Sequence, residues 1–144
     1  MYKIEKLSKS NLKSALQLRN RIFQDLPQCY KETLEASLDI NNEKYKNCLS
    51  KNQILYIEYF VIIEPETRQT IGLTGLYVEN NDNECWLGCF CVDVNYRNNG
   101  LGQKLLDFSI NRAKQLKKKI LKLYIYNSEE YKSAVKLYEK NCFV

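Results

Sequence analysis

The sequence predicts one α/β domain spanning residues 1–144, with a mixed sheet covered by helices. Its 144 residues, of which 44% are hydrophobic, fit one globular core better than two. No internal repeat, low-complexity run or Pro/Gly/Ser-rich linker divides the chain. The hydrophobic periodicity switches between strand and helix patterns in the order βααβββαβα, which is typical of a sheet with helices packed on it.

The first part of the chain contains a strand followed by two helices. Alternation over Tyr2–Leu7 predicts the strand. Apolar residues at i, i+3, i+4 and i+7 predict a helix from Leu12 to Leu26, which Pro27 ends. A second helix is predicted from Thr33 to about Leu49, where Asn41–Asn42 could interrupt it.

A hairpin and a buried strand follow. The β-branched and aromatic run Ile54–Glu64 and the run Thr70–Val78 predict two strands that are joined by a turn. Cys85–Val92 is almost continuously apolar, as expected for a central strand covered on both faces.

The second half alternates helix, strand and helix. Leu101 to about Leu116 is predicted to be helical, Ile120–Tyr126 to be a strand, and Glu129–Lys140 to be the last helix. Tyr138 lies on the apolar stripe of that last helix, where it could simply complete the core.

Composition excludes several kinds of chemistry. The chain has no histidine, which rules out a Ser-His-Asp triad, a His-ligated zinc or a His general base. A net charge of +5 permits an anionic ligand without demanding nucleic acid. The strongest basic cluster is interpreted as lysines that complement a helix C-terminus, so nucleic-acid binding is not expected. It consists of Lys114, Lys117, Lys118, Lys119 and Lys122.

The N-terminus and the cysteines suggest a cytoplasmic protein. Charges at the start of the chain do not fit a signal peptide, and no apolar run approaches the length of a membrane span. The six cysteines are therefore expected to be reduced. Cys85, Cys89 and Cys91 would share one face of an extended strand as small buried hydrophobes, and no metal site is expected.

A glycine-containing loop is the strongest local indication of a ligand site. All five glycines lie between Gly72 and Gly102, and Gly100 and Gly102 stand between the buried strand and the next helix. Such glycines let the backbone approach an anion at a helix N-terminus, and Arg97 adds positive charge. The pattern is neither a P-loop nor a dinucleotide fingerprint, and a tight turn without a ligand explains that motif alone equally well.

Two longer segments resemble a known family. Val92–Gly102 is similar to the acetyl-CoA-binding motif of the GNAT N-acetyltransferases, whose core is R/Q-x-x-G-x-G/A. Ala134–Phe143 is similar to the later family motif A-x-x-L-Y-E-K-x-G-F. The resemblance implies the GNAT fold, with a mostly antiparallel mixed sheet flanked by helices, and acetyl-CoA as the acyl donor, with no metal.

The resemblance also implies which residues contact acetyl-CoA. The main chain of Val92 and Val94 would pair with the pantetheine arm, and the following loop would hold the pyrophosphate. Tyr131 stands where many members have a cofactor-contacting Asn. The loop residues are Arg97, Asn98, Asn99, Gly100, Leu101, Gly102 and Gln103.

Two residues are catalytic candidates. Tyr138 matches the tyrosine that protonates the departing CoA thiolate in many members, and a neutral phenol can donate at neutral pH. Glu84 is the best candidate for the base, although the family's glutamate aligns more naturally with Trp86. A solvated loop glutamate is the competing interpretation.

Two departures concern the C-terminus. Cys142 replaces the motif glycine, and the two further strands of the family have no counterpart after Phe143. Either another subunit supplies the missing wall of the acceptor site, or the cleft is open, or the sequence is a shortened piece. An exposed strand edge would make a homodimer plausible.

The implied activity is acyl transfer, most simply of acetyl from acetyl-CoA, to a primary amine that attacks directly in a ternary complex. The amine is a small molecule or a protein amine, and the loop around Phe23–Tyr30 would line its site. The alternative function is a non-catalytic module that binds or senses acyl-CoA.

Overall fold

The chain folds into a five-stranded sheet with helices on both faces. The computed structural model describes residues 2–22, 34–39, 42–51, 53–81, 83–123, 132–141 and 143. The strands are β1 (Lys3–Lys6), β2 (Ile54–Ile63), β3 (Thr70–Glu79), β4 (Glu84–Val92) and β5 (Ile120–Leu123). The main helices are α1 (Leu12–Ile22), α2 (Glu43–Lys51), α3 (Leu101–Gln115) and α4 (Lys132–Lys140), and a short 3₁₀ turn (Val94–Tyr96) follows β4.

The sheet is mixed and mostly antiparallel, as predicted. Its strands lie in the order β1-β2-β3-β4-β5, and the first three neighbouring pairs are antiparallel. β4 and β5 are parallel, because α3 carries the chain back across the sheet between them. The element order βααβββαβα is confirmed over the described residues.

The second predicted helix is interrupted just before Asn42, as the Asn41–Asn42 pair predicted. Residues 34–36 are helical, a turn follows, and α2 begins at Glu43. The side chain of Asn42 accepts a hydrogen bond from the Tyr45 amide at 3.1 Å, so Asn42 caps α2. Three parts of these predictions lie outside the described residues. They are the C-terminal end of the first helix, the C-terminal end of the last strand and the start of the last helix.

Each face of the sheet has its own apolar core. On the first, which we call the α1/α2 face, Leu18 of α1 and Leu49 of α2 pack against the odd-numbered residues of β2. On the second, the α3/α4 face, Leu105 and Leu106 of α3 pack against the sheet. Because helices cover both sides, any ligand that reaches β4 must enter from an end of the sheet or between its strands.

A β-bulge in β4 contradicts one prediction. Gly75 pairs with Gly88 and Leu73 with Cys91, so β4 contains one residue more than β3 between these pairs. Cys89 adopts a φ of +52° there. The bulge reverses the alternation, so Cys85 packs on the α3/α4 face while Cys91 packs on the α1/α2 face. The prediction that the three cysteines share one face was therefore wrong.

Candidate active site

The loop between β4 and α3 presents free backbone amides. The first helical hydrogen bond runs from the Lys104 amide to the Gly100 carbonyl at 3.0 Å. The amides of Leu101, Gly102 and Gln103 therefore have no acceptor within the helix. No acidic side chain occupies the first turn of α3, so the partial positive charge of this helix end is not neutralised there. This arrangement suits an anion.

Gly100 leaves room for that anion. It adopts a left-handed conformation with φ of +74°, and a Cβ added there would meet nothing within 4 Å. The backbone therefore faces open space immediately before the free amides. Asn98 also has a positive φ, of +65°, which asparagine tolerates better than most residues. The geometry fits a pyrophosphate that approaches the backbone closely.

Side chains within the loop hold its shape. Arg97 donates from Nε to the Val92 carbonyl at 3.2 Å, which fixes its guanidinium beside the end of β4. The Asn99 amide group donates to the Tyr96 carbonyl at 3.2 Å. Asp93 accepts from the Asn95 amide at 2.9 Å and so stabilises the 3₁₀ turn. The loop is therefore organised by its own hydrogen bonds before any ligand binds.

Asp93 also ties this loop to α1. Its Oδ2 lies 2.8 Å from a guanidinium nitrogen of Arg21, near the C-terminal end of that helix. The Asp93 side chain is mostly buried, so this ion pair is less screened than one between two exposed groups.

Gln103 and Gly102 contact α4 rather than open space. Gln103 donates to Asn141 Oδ1 at 2.8 Å and accepts from Asn141 Nδ2 at 3.0 Å. A Cβ on Gly102 would lie 3.4 Å from Leu137. The main chain of both residues remains part of the amide-lined loop. The sequence prediction missed Asn141, because a helix-to-helix amide pair leaves no local pattern.

β5 pairs with the first half of β4 over its described residues. The two strands pair from Glu84 with Ile120 to Leu87 with Leu123, and the residues that follow Leu123 lie outside the described part of the chain. We call the point on β4 between Leu87 and Gly88, where the described pairing with β5 ends, the fork.

The predicted cofactor-binding residues differ in how far their side chains are exposed. Val92 and Leu101 have buried side chains that belong to the core, so only their main chain can contact a ligand. Val94, in contrast, is exposed: 65% of its surface is accessible to solvent at the start of the 3₁₀ turn.

Tyr138 lies at the fork on the α3/α4 face. Its ring packs edge-on against Phe90 of β4, with the ring centroids 5.7 Å apart, and against Phe143 at 5.6 Å. Burial raises the pKa of the Tyr138 phenol above its usual value. The phenol therefore stays protonated at neutral pH and can act as a proton donor.

Glu84 lies at the opposite end of β4. At about 3.3 Å per residue it is roughly 26 Å from Val92 along the strand. Its carboxylate accepts from Lys122 Nζ at 2.8 Å, and this hydrogen bond lowers the pKa of Glu84. Lys122 also lies 2.9 Å from Glu79 and 4.3 Å above the Trp86 ring. The structure does not bring Glu84 together with the loop or with Tyr138.

A polar chain that the sequence did not predict ends at the bulge. The Tyr59 and Tyr77 hydroxyl oxygens are 3.3 Å apart, and the Tyr77 hydroxyl lies 3.5 Å from Cys89 Sγ. Burial raises the pKa of both tyrosines well above the usual value, so both are neutral phenols. The sequence contained one signal for this cluster: Gly75 and Gly88 stand in two neighbouring strands, and a glycine within a strand indicates close approach by other groups.

Some predicted residues lie outside the described part of the chain. These are Tyr131, Cys142 and the predicted acceptor loop Phe23–Tyr30. Among the residues that are described, no cluster of three or more His, Cys, Asp or Glu side chains could hold a metal ion. None of the described helices is both long and apolar enough to span a bilayer.

The family profile of the acetyltransferase (GNAT) family matches residues 19–142. No curated protein sequence is significantly similar to the chain. Solved structures share the fold at low sequence identity.

One such structure is a GNAT-family acetyltransferase from Staphylococcus aureus, with 20% identity and a TM-score of 0.75, covering 98% of this chain and 82% of that one. A glucosamine-6-phosphate N-acetyltransferase from Arabidopsis thaliana is 19% identical with a TM-score of 0.66, covering 100% and 92%. A predicted acetyltransferase from Clostridium acetobutylicum, solved with acetyl-CoA, is 16% identical with a TM-score of 0.64, covering 100% and 90%.

Proposed function

Because this chain belongs to the GNAT acetyltransferase family, we propose that it transfers acetyl from acetyl-CoA to a primary amine by direct attack. The observation that carries the proposal is the amide-lined loop. The free amides of Leu101–Gln103 lie beside the open space over Gly100, which suits a pyrophosphate. The resemblance to the family implies that the extended arm then continues from the loop along β4 toward the fork, and we call this course the path.

Each part of the path has a role in the proposal. Arg97 and the amides of residues 98–103 hold the pyrophosphate, and the main chain of Val92 and Val94 begins the pairing with the arm. Acetyl-CoA supplies a thioester whose carbonyl carbon is the electrophile. Backbone amides near Val92 polarise that carbonyl, because a donor that is already oriented costs no reorganisation during the reaction.

Tyr138 is the proposed proton donor to the leaving thiolate. It lies at the fork, and its raised pKa keeps the proton available until negative charge develops on sulfur. Deprotonation of the amine needs a different route, because the ion pair with Lys122 makes Glu84 a weak base. We propose that the amine reacts in its neutral form and that its proton leaves to water.

The identity of the acceptor amine is to be determined with a panel of amines. The Arabidopsis neighbour is named for an amino-sugar phosphate, so amino sugars belong in a panel of test amines together with polyamines and peptides with free amines. Release of free CoA thiol from acetyl-CoA in the presence of each amine measures the activity directly.

The variant Gly100→Asp tests the site. We expect wild-type protein to bind acetyl-CoA at micromolar concentration, measured by isothermal titration calorimetry. The variant should lose at least about tenfold in affinity, because a carboxylate then lies beside the anion. Asn80→Asp is the matched control: it adds the same charge on an exposed loop beyond the far end of β4, and it should bind normally.

Two outcomes would decide against the proposal. Equal affinity of Gly100→Asp and wild type, with both folded by circular dichroism, would exclude the loop as the pyrophosphate site. Binding of acetyl-CoA without thiol release for any amine would favour the alternative, a non-catalytic module that binds or senses acyl-CoA.

A further inference from the structure

Asp93 places a carboxylate at the start of the loop that is proposed to bind a pyrophosphate. It directly follows β4, and its amide donates to the Ile71 carbonyl at 2.8 Å, which fixes it to the neighbouring strand. Arg97 Nε donates to the carbonyl of the Val92–Asp93 peptide group, so the guanidinium of Arg97 lies beside Asp93. An unbalanced negative charge in this position would repel the anion that Arg97 and the loop amides attract.

The Asp93 side chain has a structural task that explains its presence. Oδ1 accepts from the Asn95 amide at 2.9 Å, and the Asp93 carbonyl accepts from the Tyr96 amide at 2.9 Å, so the residue caps the 3₁₀ turn that leads to Arg97. Short side chains with an oxygen acceptor are favoured at such positions, and an asparagine can make the same contact without the charge. The turn therefore needs an oxygen acceptor at residue 93 and does not need its negative charge.

Arg21 balances this charge from a different element. Its Nη2 lies 2.8 Å from Asp93 Oδ2, the carboxylate oxygen that does not cap the turn. Arg21 is in the last turn of α1, where the partial negative charge of the helix end also favours a cation. The Asp93 side chain is mostly buried and that of Arg21 is half exposed. The carboxylate therefore depends more on the guanidinium than on water for its neutralisation.

The ion pair leaves the positive charge of the loop intact. Asp93 and Arg21 together carry no net charge, so they do not offset Arg97 or the partial positive charge at the start of α3. Without Arg21, the carboxylate of Asp93 would offset the guanidinium of Arg97, and the loop would attract an anion through its amides alone.

We propose that Arg21 is a positioning residue of the acetyl-CoA site, which pairs with Asp93 so that a carboxylate can cap the turn without repelling the pyrophosphate. Arg21 acts through Asp93 and does not itself touch the ligand. This inference rests on the proposed function, and it extends the site from the loop to α1.

The test compares Arg21→Gln with the double variant Arg21→Gln/Asp93→Asn, each folded by circular dichroism. Isothermal titration calorimetry measures the Kd for acetyl-CoA. We expect Arg21→Gln to bind about three- to tenfold more weakly than wild type, the effect of one uncompensated charge near the protein surface. The double variant should recover to within about twofold of wild type, because an asparagine at position 93 still caps the turn and no longer repels the ligand.

Arg112→Gln is the matched control. Arg112 also joins a helix to the sheet through an ion pair, with its Nη2 2.8 Å from Glu58 Oε2, and it lies near the C-terminal end of α3. At about 1.5 Å per residue it is roughly 16 Å along the helix from Leu101. The variant loses the same charge and the same kind of contact, so its affinity for acetyl-CoA should equal that of wild type.

Salt provides a second readout, which a loss of packing would not change. Raising the NaCl concentration from about 0.1 M to about 1 M shortens the screening length from about 10 Å to about 3 Å. The ratio of the Kd of Arg21→Gln to that of wild type should therefore fall toward one.

The contrary outcomes separate this inference from the proposed function. A double variant that binds as weakly as Arg21→Gln, or a Kd ratio that salt does not change, would overturn the charge balance. Equal affinity of Arg21→Gln and wild type would remove Arg21 from the site and leave acetyl transfer standing. Failure of wild type to bind acetyl-CoA and to release thiol would overturn both.

Discussion

Tyr59, Tyr77 and Tyr138 acquire different properties from their surroundings. Burial raises the pKa of all three, so that each is a neutral phenol at neutral pH. Tyr138 lies between Phe90 and Phe143, whereas Tyr77 contacts two polar atoms. Position on one face of β4 or the other, rather than residue type, therefore gives these tyrosines different surroundings.

The pH dependence of turnover tests the role of Tyr138. Its raised pKa means that the proton is present at every pH below the usual phenol value of about 10. We expect kcat to rise with pH as the amine loses its proton, and then to remain level to about pH 9. Tyr138→Phe should lower kcat about 100-fold without changing the Kd for acetyl-CoA.

A contrary result would be clear from the same data. If kcat of wild type falls between about pH 7 and about pH 9, the proton donor has a lower pKa than the buried Tyr138 phenol. If Tyr138→Phe keeps the wild-type kcat, the phenol has a packing role only.

Pairs of elements are held together where glycine permits close approach. Gly75 of β3 and Gly88 of β4 leave room on the α1/α2 face for the rings of Tyr59, from β2, and Tyr77, from β3. At Gly102, α3 approaches α4, and the Gln103–Asn141 amide pair closes the same contact. Asn141 Nδ2 also donates to the Leu137 carbonyl at 2.8 Å, so it caps the end of α4 three residues after Tyr138. The first turn of α3 thereby positions the helix that carries the proposed proton donor.

These two contacts predict different responses to alanine. Gly88→Ala should lower the free energy of unfolding by about 1–3 kcal/mol, because its Cβ would meet the packed Tyr77 ring at 3.0 Å. Gly102→Ala should change it by less than about 0.5 kcal/mol, because its Cβ lies at ordinary contact distance and alanine favours helix. Urea denaturation followed by circular dichroism measures both. Equal stability of the two variants would contradict the close packing over Gly88.

On the scale of the whole molecule, the proposed site lies at one end of a sheet that has helices on both faces. The amide-lined loop connects β4 to α3, and Tyr138 packs against Phe90 of β4. The ligand proposed for the site must therefore bridge the loop and the middle of β4.

This bridging predicts that fragments bind far less well than the intact ligand. Acetyl-CoA at about 100 times its Kd should stabilise the protein by about 2.7 kcal/mol, which corresponds to a rise in Tm of roughly 8 °C. Adenosine 3′,5′-diphosphate or pantetheine at the same concentration should shift Tm by less than about 1 °C, because linking two weak contacts strengthens binding by about 10²–10⁴. A full shift with either fragment alone would contradict a two-part site.

The sequence predicted the local features well. The order βααβββαβα, the interruption before α2 and the amide-lined loop all follow from short-range patterns of apolar spacing, asparagine and glycine. Such patterns act within a few residues of the chain, so they can be recognised without knowing what packs against them. The family resemblance rests on the same kind of local information.

The sequence by itself therefore determined the element order, the family and the loop that presents amides at Gly100. Only the tertiary structure decided which face each strand residue occupies and which groups the tyrosines contact. The bulge at Cys89 moved Cys85 and Cys91 to different faces, and an ion pair with Lys122 engaged Glu84 away from the loop. The physical reason is that strand register and side-chain partners depend on contacts between residues far apart in sequence, such as Gly75 with Gly88 and Tyr77 with Cys89.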